Sequence, residues 1–235
     1  MVYAGIVAGG TGSRMGADIP KQFIVLAGKT ILAHTVLRFL EVDKIDKIYI
    51  AVHPEWLGHT KKLFSDHTDK IVVIPGGSDR NKSVFNIIDA VKEDNELSDD
   101  DILLTHDAVR PFVSADTILA NIEAALKYTV CTTAVPATDT ILYSENEIVS
   151  ETLDRSKLYH AQTPQSFKIK AILETYQKLD ESQRSKLTDV CGIFTAAGKK
   201  VHIVSGEVSN IKITTPFDLK IAEAVLGKQS GSEKV

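Results

Sequence analysis

The residues best suited to chemistry in this chain lie in one glycine-rich, basic stretch, 8–21. It reads Ala8-Gly9-Gly10-Thr11-Gly12-Ser13-Arg14-Met15-Gly16, with Pro20-Lys21 close behind. Glycines let backbone N–H groups come close to an anion, and a polyphosphate needs several such donors. Arg14 and Lys21 add fixed positive charge. At ~4 Å and an effective dielectric near ~20, each contact with a phosphate is worth roughly 4 kcal/mol before desolvation. Two commoner phosphate loops are excluded. The dinucleotide fingerprint needs glycine at its first, third and sixth positions, and counting from Gly10 and Gly12 the sixth is Met15. The Walker pattern puts Gly-Lys-Ser/Thr four residues beyond a first glycine, a spacing found nowhere in this chain. On the loop alone, a glycine-rich turn with a surface arginine is the competing reading.

Asp107 is the second candidate. It follows an apolar run at 101–105, and a carboxylate at the carboxyl end of a strand suits Mg²⁺ bridging phosphates. A turn aspartate capping a local N–H is the alternative. Asp99-Asp100-Asp101 precedes that run and reads as a solvated turn, not as a metal-binding motif. His106 adjoins Asp107 and is read as structural. The other histidines form no metal-ligand spacing.

The elements that must position these groups follow from periodicity. Short apolar runs at 3–8, 47–53, 70–75, 101–105, 131–136 and 200–205 predict strands, several of them apolar throughout, as in a sheet covered on both faces. Helical spacing predicts helices over 31–40 after Thr30, over 80–92 after Asp79 and over 115–128 after Ser114. A last helix begins with Thr215 as cap and Pro216 at its first position. Such alternation predicts an α/β fold: a single Rossmann-like three-layer domain, 1–227, with a mostly parallel sheet. The stretch 137–155 breaks the pattern and reads as a projecting β-hairpin arm around Ser144-Glu145-Asn146-Glu147. The tail 228–235 is polar and is expected to be disordered.

The 235 residues are 43% hydrophobic and 25% charged, with a formal net charge of −4, which argues against general nucleic-acid or membrane-surface binding. Two cysteines, Cys131 and Cys191, are too few for a disulfide framework and read as core residues in a reducing cytoplasm. No secretion signal and no long apolar span is seen, so a cytoplasmic protein is expected.

Gly-Gly-x-Gly-x-Arg-Met with Pro-Lys-Gln-Phe resembles the signature of sugar-nucleotide pyrophosphorylases. The Pro-Lys-Gln form is similar to the cytidylyltransferases acting on methylerythritol 4-phosphate or ribitol 5-phosphate. Further matches follow in order: Gly76-Gly77-Ser78-Asp79-Arg80-Asn81-Lys82-Ser83, Thr105-His106-Asp107-Ala108-Val109-Arg110-Pro111-Phe112, Thr138-Asp139-Thr140, Asp154-Arg155, Gln162-Thr163-Pro164-Gln165 and Asn210-Ile211-Lys212-Ile213-Thr214. The resemblance implies the nucleotide-diphospho-sugar transferase fold and Mg²⁺-dependent transfer of CMP from CTP to a polyol phosphate. By resemblance, Val7, Ala8, Gly9, Gly10, Thr11, Gly12, Gly77, Asp79, Arg80 and Ser83 bind the nucleotide, and Asp107 binds the metal. Arg14 and Lys21 stabilise charge on the α-phosphate and pyrophosphate. Lys212, Arg155, Thr140 and Arg110 bind the acceptor, with Arg155 and Lys212 also catalytic. The arm is exchanged between two subunits, so that Thr140 and Arg155 serve the partner's site in a homodimer.

His-Asp-Ala-Val-Arg-Pro-Phe and Leu187-Thr188-Asp189-Val190-Cys191 look closer to the ribitol 5-phosphate branch, which would give CDP-ribitol and pyrophosphate. So does Gly206-Glu207-Val208-Ser209-Asn210: Ser209 stands where methylerythritol enzymes carry Asp, and Glu207 lies two residues away. Thr152-Leu153-Asp154-Arg155 is closer to the methylerythritol form. Ribitol 5-phosphate is the acceptor favoured, with methylerythritol 4-phosphate as the alternative. A nucleotidyltransferase for another base and a non-catalytic nucleotide-binding module are the competing classes.

Overall fold

The structure, a computed structural model, describes residues 1–10 and 19–231, so Thr11, Gly12 and Arg14 lie outside the described residues. Its elements, in chain order, are β1 (Val2–Ala8), β2 (Val25–Leu26), β3 (Lys29–Thr30), α1 (Ile31–Leu40), β4 (Lys47–Val52), α2 (Leu57–Leu63) and β5 (Ile71–Pro75). There follow α3 (Arg80–Asp94), β6 (Ile102–Asp107), α4 (Ala115–Tyr128), β7 (Val130–Pro136), β8 (Leu142–Glu145), β9 (Ile148–Thr152) and β10 (Tyr159–Lys168). The chain ends with α5 (Ile169–Gln177), α6 (Glu181–Arg184), α7 (Val190–Ala196), β11 (His202–Ser205) and α8 (Pro216–Gly231).

Seven strands form one sheet in the order β11-β7-β10-β6-β1-β4-β5. The pairs β1–β4, β1–β6, β4–β5 and β7–β11 are parallel, and β10 runs antiparallel to both β6 and β7. Apolar runs become the central strands because both faces are covered: every residue of β6 is buried. One core lies between the sheet and α1 with α4, built on Ile6, Ile50, Leu104, Val36 and Ile122. The other, on the opposite face, packs Val84, Ile87, Ile88 and Val91 of α3 with Phe167, Ile172 and Phe194. The helix starts follow from their caps, with Thr30, Asp79 and Ser114 each accepting the backbone N–H three residues on.

β10 departs from the sequence reading. Its segment Gln162-Thr163-Pro164-Gln165-Ser166 is polar and holds a proline, a pattern that argues against a central strand. Here Pro164 sits in a register shift between Ala161 and Gln165, and the buried polar side chains have partners. Gln162 donates to Glu207 O, Thr163 accepts from Asp107 N and Ser166 donates to Asn121.

The aspartate run also needs correction. Asp99 and Asp100 pair with Lys170 and Lys168 at the surface. Asp101 is buried, not solvated, and binds the Met1 ammonium at 2.6 Å and the Ser98 N–H and O–H. The hairpin is present as β8 paired with β9, exposed along its whole length, with Leu142, Tyr143, Ile148 and Val149 open to solvent. Its two ends meet where Ala137 N–H donates to Leu158 O at 2.9 Å. The last helix runs on to Gly231, past the expected domain end at 227.

Candidate active site

From β1 the chain winds outward to β4 and β5, then crosses back to β6 on the other side of β1. A crevice opens beyond the carboxyl ends of strands at such a switch point. A cleft of about 270 Å³ lies there. Of the residues singled out by sequence, Val7, Ala8, Gly9 and Gly10 come to it from the end of β1, and Asp107 from the end of β6. Gly77, Asp79, Arg80 and Ser83 enter from the turn into α3, and Lys21 and Lys212 from two separate loops.

Each wall is held by local chemistry. Gln22, which sequence reasoning did not single out, is buried and donates its amide to Ala8 O at 2.7 Å and Gly10 O at 3.0 Å. It thereby fixes where the glycine-rich stretch leaves β1. Its place in the Pro20-Lys21-Gln22-Phe23 motif was the available signal. Across the cleft, Ser83 Oγ accepts the Gly77 N–H at 3.0 Å and donates to Asp79 O at 2.9 Å. A Cβ on Gly77 would lie 2.7 Å from the Lys82 carbonyl carbon, so only glycine lets this turn fold onto the helix. Asp79 caps α3 through the Lys82 N–H at 2.8 Å.

Asp107 is the electrostatic centre. Arg80 Nε lies 3.4 Å from its Oδ1, while Arg110 Nε at 3.3 Å and Lys212 Nζ at 3.0 Å face its Oδ2. Burial would raise this carboxyl, but Arg80, Lys212 and Arg110 outweigh it and hold it well below the usual carboxylate range. Arg80 Nη1 also donates to Gln165 Oε1 at 3.1 Å. Its Nη2 is buried with no partner among the described residues.

Arg110, expected to bind the acceptor, lies beside Asp107 at the end of β6. It is buried and outside the cleft lining, with Nη1 donating to Asn210 O at 2.8 Å and Nη2 to Ala161 O at 3.4 Å. With Nε on Asp107 Oδ2 as well, it braces Asp107 against the segment that carries Lys212. That segment is seated by Asn210, whose amide donates to Gln162 Oε1 and Thr163 O, and by Ile213 N–H to Val109 O.

His106 is fully buried. Its Nε2 donates to Arg110 O at 3.1 Å, which leaves Nδ1 to accept from Thr163 Oγ1 at 3.0 Å. Burial lowers its pKa to about 4, so it is neutral and cannot reach a substrate as a base. Glu207 is not turned to the cleft either. Its carboxylate accepts from the Ser114 and Thr117 hydroxyls at the start of α4 and from Ser209 at 3.2 Å. Among the described residues, no three His, Cys, Asp or Glu side chains are grouped to hold a metal ion. Thr140 and Arg155 are exposed at the base of the arm, away from this chain's own cleft, with Arg155 Nη1 on Thr138 O at 2.7 Å.

Known proteins share this fold. The family model described as IspD, 2-C-methyl-D-erythritol 4-phosphate cytidylyltransferase, matches residues 2–228. Among solved structures, 4-diphosphocytidyl-2C-methyl-D-erythritol synthase from Anaerococcus prevotii is 32% identical with a TM-score of 0.82, over 97% of this chain and 96% of that one. The 2-C-methyl-D-erythritol 4-phosphate cytidylyltransferase of Francisella tularensis is 33% identical, TM-score 0.80, over 95% and 98%. That of Thermus thermophilus is 27% identical, TM-score 0.72, over 96% and 98%. With this fold, this cleft and a match over nearly its whole length, the chain belongs to the IspD family of CTP-dependent cytidylyltransferases.

Proposed function

We propose that this enzyme transfers CMP from CTP to a polyol monophosphate and releases pyrophosphate. The observation that carries the reading is the cationic cluster of Arg80 and Lys212 around Asp107, in the same cleft as Lys21 and the backbone of Gly9 and Gly10. A phosphate monoester with a second pKa near ~6 is largely dianionic at pH 7 and needs no base, in keeping with a buried, neutral His106. The chemistry then rests on positioning and on charge stabilisation of the α-phosphate and leaving pyrophosphate. Lys21, with Arg14, serves the phosphates of CTP. Gly77, Asp79, Arg80 and Ser83 serve the nucleoside side of the cleft, and Lys212 holds the acceptor phosphate.

One carboxylate facing a polyphosphate site fits Mg²⁺, which is bound through one or two carboxylates together with substrate phosphates. Asp107 would hold it, and it would neutralise phosphate charge. Glu207, engaged at α4, supplies no second ligand. The exposed arm, with Leu142, Tyr143, Ile148 and Val149, pairs with a second copy and brings that copy's Thr140 and Arg155 to the acceptor phosphate. The free thiols Cys131 and Cys191, pushed up to about 12 by burial, fit a reducing cytoplasm.

For the acceptor, the relatives reverse the preference drawn from the sequence. The family model and the three relatives named above carry methylerythritol in their names, and none carries ribitol, so 2-C-methyl-D-erythritol 4-phosphate is the acceptor we propose. One observation keeps D-ribitol 5-phosphate as a second reading: Ser209 and the diverted Glu207 leave the Lys212 segment without a carboxylate facing the cleft. Pyrophosphate release with CTP and Mg²⁺, measured with each acceptor, tests both levels. No release with either removes the function, and a higher kcat/KM with ribitol 5-phosphate overturns the acceptor only.

A further inference from the structure

Arg80 reaches the cleft from the first turn of α3, yet its guanidinium is not held by α3. Its Nη1 donates to Gln165 Oε1 at 3.1 Å, and Gln165, 2% exposed on β10, donates Nε2 to Asp189 Oδ2 at 2.7 Å. A guanidinium only donates and a carboxylate only accepts, so the two ends fix which way the Gln165 amide points. Asp189 is itself anchored, because its Oδ1 accepts the Gly192 N–H at 2.8 Å and caps α7. The same loop is tied to α3 a second time, by Asn81 Nδ2 on Leu187 O at 3.2 Å. A polar chain thus runs from Asp107 through Arg80, Gln165 and Asp189 to the start of α7. The Arg80–Asp107 contact at its inner end is long, at 3.4 Å, and does not define the guanidinium's position by itself.

We propose that Gln165 and Asp189 are positioning residues of the nucleotide site. They hold the Arg80 guanidinium at its place in the cleft wall and leave Nη2 as the donor for an acceptor atom of the bound nucleotide. Neither touches the nucleotide. Both act through Arg80, so their effect is on KM for CTP and not on the transfer step. The inference rests on reading the cleft as a CTP site.

Three variants in the full-length enzyme test it, with CTP titrated in the pyrophosphate-release assay and Tm measured alongside. Gln165→Glu sets two carboxylates against each other and is expected to raise KM for CTP about tenfold, with kcat within about twofold. Adding Asp189→Asn moves the single negative charge from residue 189 to residue 165, restores every donor–acceptor match and is expected to bring KM back to within about twofold. Asp189→Ser keeps a good N-cap for α7 but is too short to reach Gln165, so KM is expected to rise several-fold with little change in Tm. Unchanged KM in Asp189→Ser, or a double variant no better than Gln165→Glu, overturns the inference. Wild-type enzyme that neither binds CTP nor releases pyrophosphate would instead remove the function on which it rests.

Discussion

Asp107 shows how one buried carboxylate can hold three cations together. Without it, Arg80, Arg110 and Lys212 would face one another across a few ångströms, and the cluster would repel itself until phosphate arrived. Asp107→Asn is therefore expected to lower kcat/KM by about a hundredfold or more, the scale lost when a preorganised charge is removed. A fall of less than about tenfold would mean that the cations are held by other contacts. His106 has a different signature. Its pKa is lowered to about 4 in the fold, against an ordinary value near 6.5, so between these values the unfolded chain binds a proton that the folded one does not. Stability thus falls as pH drops from about 6.5 to about 4. Asp107, whose carboxyl is depressed, adds a stabilising contribution that is lost only below the ordinary carboxylate range. Urea midpoints across this window are expected to decline in wild type, and His106→Gln to flatten the slope above pH ~4. An equally steep slope in that variant would assign the effect elsewhere.

At the scale of elements, the site depends on how the segment between β11 and α8 is laid across the strand ends. Gly206 makes the closest approach: a Cβ there would stand 2.4 Å from Gln162 Oε1 and 2.9 Å from Thr133 Cγ2. Gly206→Ala is expected to push Gln162 aside, loosen Asn210 and move Lys212. Steady-state kinetics should show kcat reduced roughly tenfold with KM for CTP little changed, as for a residue that serves the acceptor. A variant equal to wild type would show that the segment can shift without moving Lys212. The parallel strands were legible in the chain because continuous apolar runs have one physical meaning in a covered sheet. β10 was not, because hydropathy scores Gln162, Thr163 and Gln165 as solvent-seeking. Their partners, Glu207, Asp107 and Asp189, are 24 to 56 residues away in sequence. Separations of 51 and 100 residues likewise hid two contacts of Arg110. Its motif placed it beside Asp107, but nothing local says that it also donates to Asn210 and Ala161.

For the whole molecule, the cleft and the arm stand apart in one chain, and the proposed function joins them across two. Lys212→Ala and Arg155→Ala are each expected to abolish turnover, Arg155→Ala with CTP binding nearly intact. Mixed in equal amounts and allowed to exchange subunits, they should regain roughly a quarter of wild-type activity, since half the dimers are mixed and each mixed dimer has one intact site. No recovery after verified exchange would mean that each chain uses its own Arg155. Sedimentation should report a dimer, and replacing Leu142 and Ile148 with Ser should shift it toward monomer. The cleft could be read from motifs because its residues lie beside the strands that present them. The division of labour between copies came from resemblance alone, since an exposed arginine looks the same whether or not another chain covers it.

The closure of the arm at its base carries a consequence for modular change. β7 leaves the sheet and β10 re-enters it at the same end, with Ala137 and Leu158 already hydrogen-bonded and Pro136 opposite Tyr159. Everything between is spliced into a gap that the sheet has already bridged. Lengthening, trimming or transplanting the hairpin from a relative would leave the parallel strands, both cores and the cleft undisturbed. With the arm serving a second copy's site, as proposed, acceptor preference and subunit pairing would drift together, as one cassette, while the cleft stayed fixed.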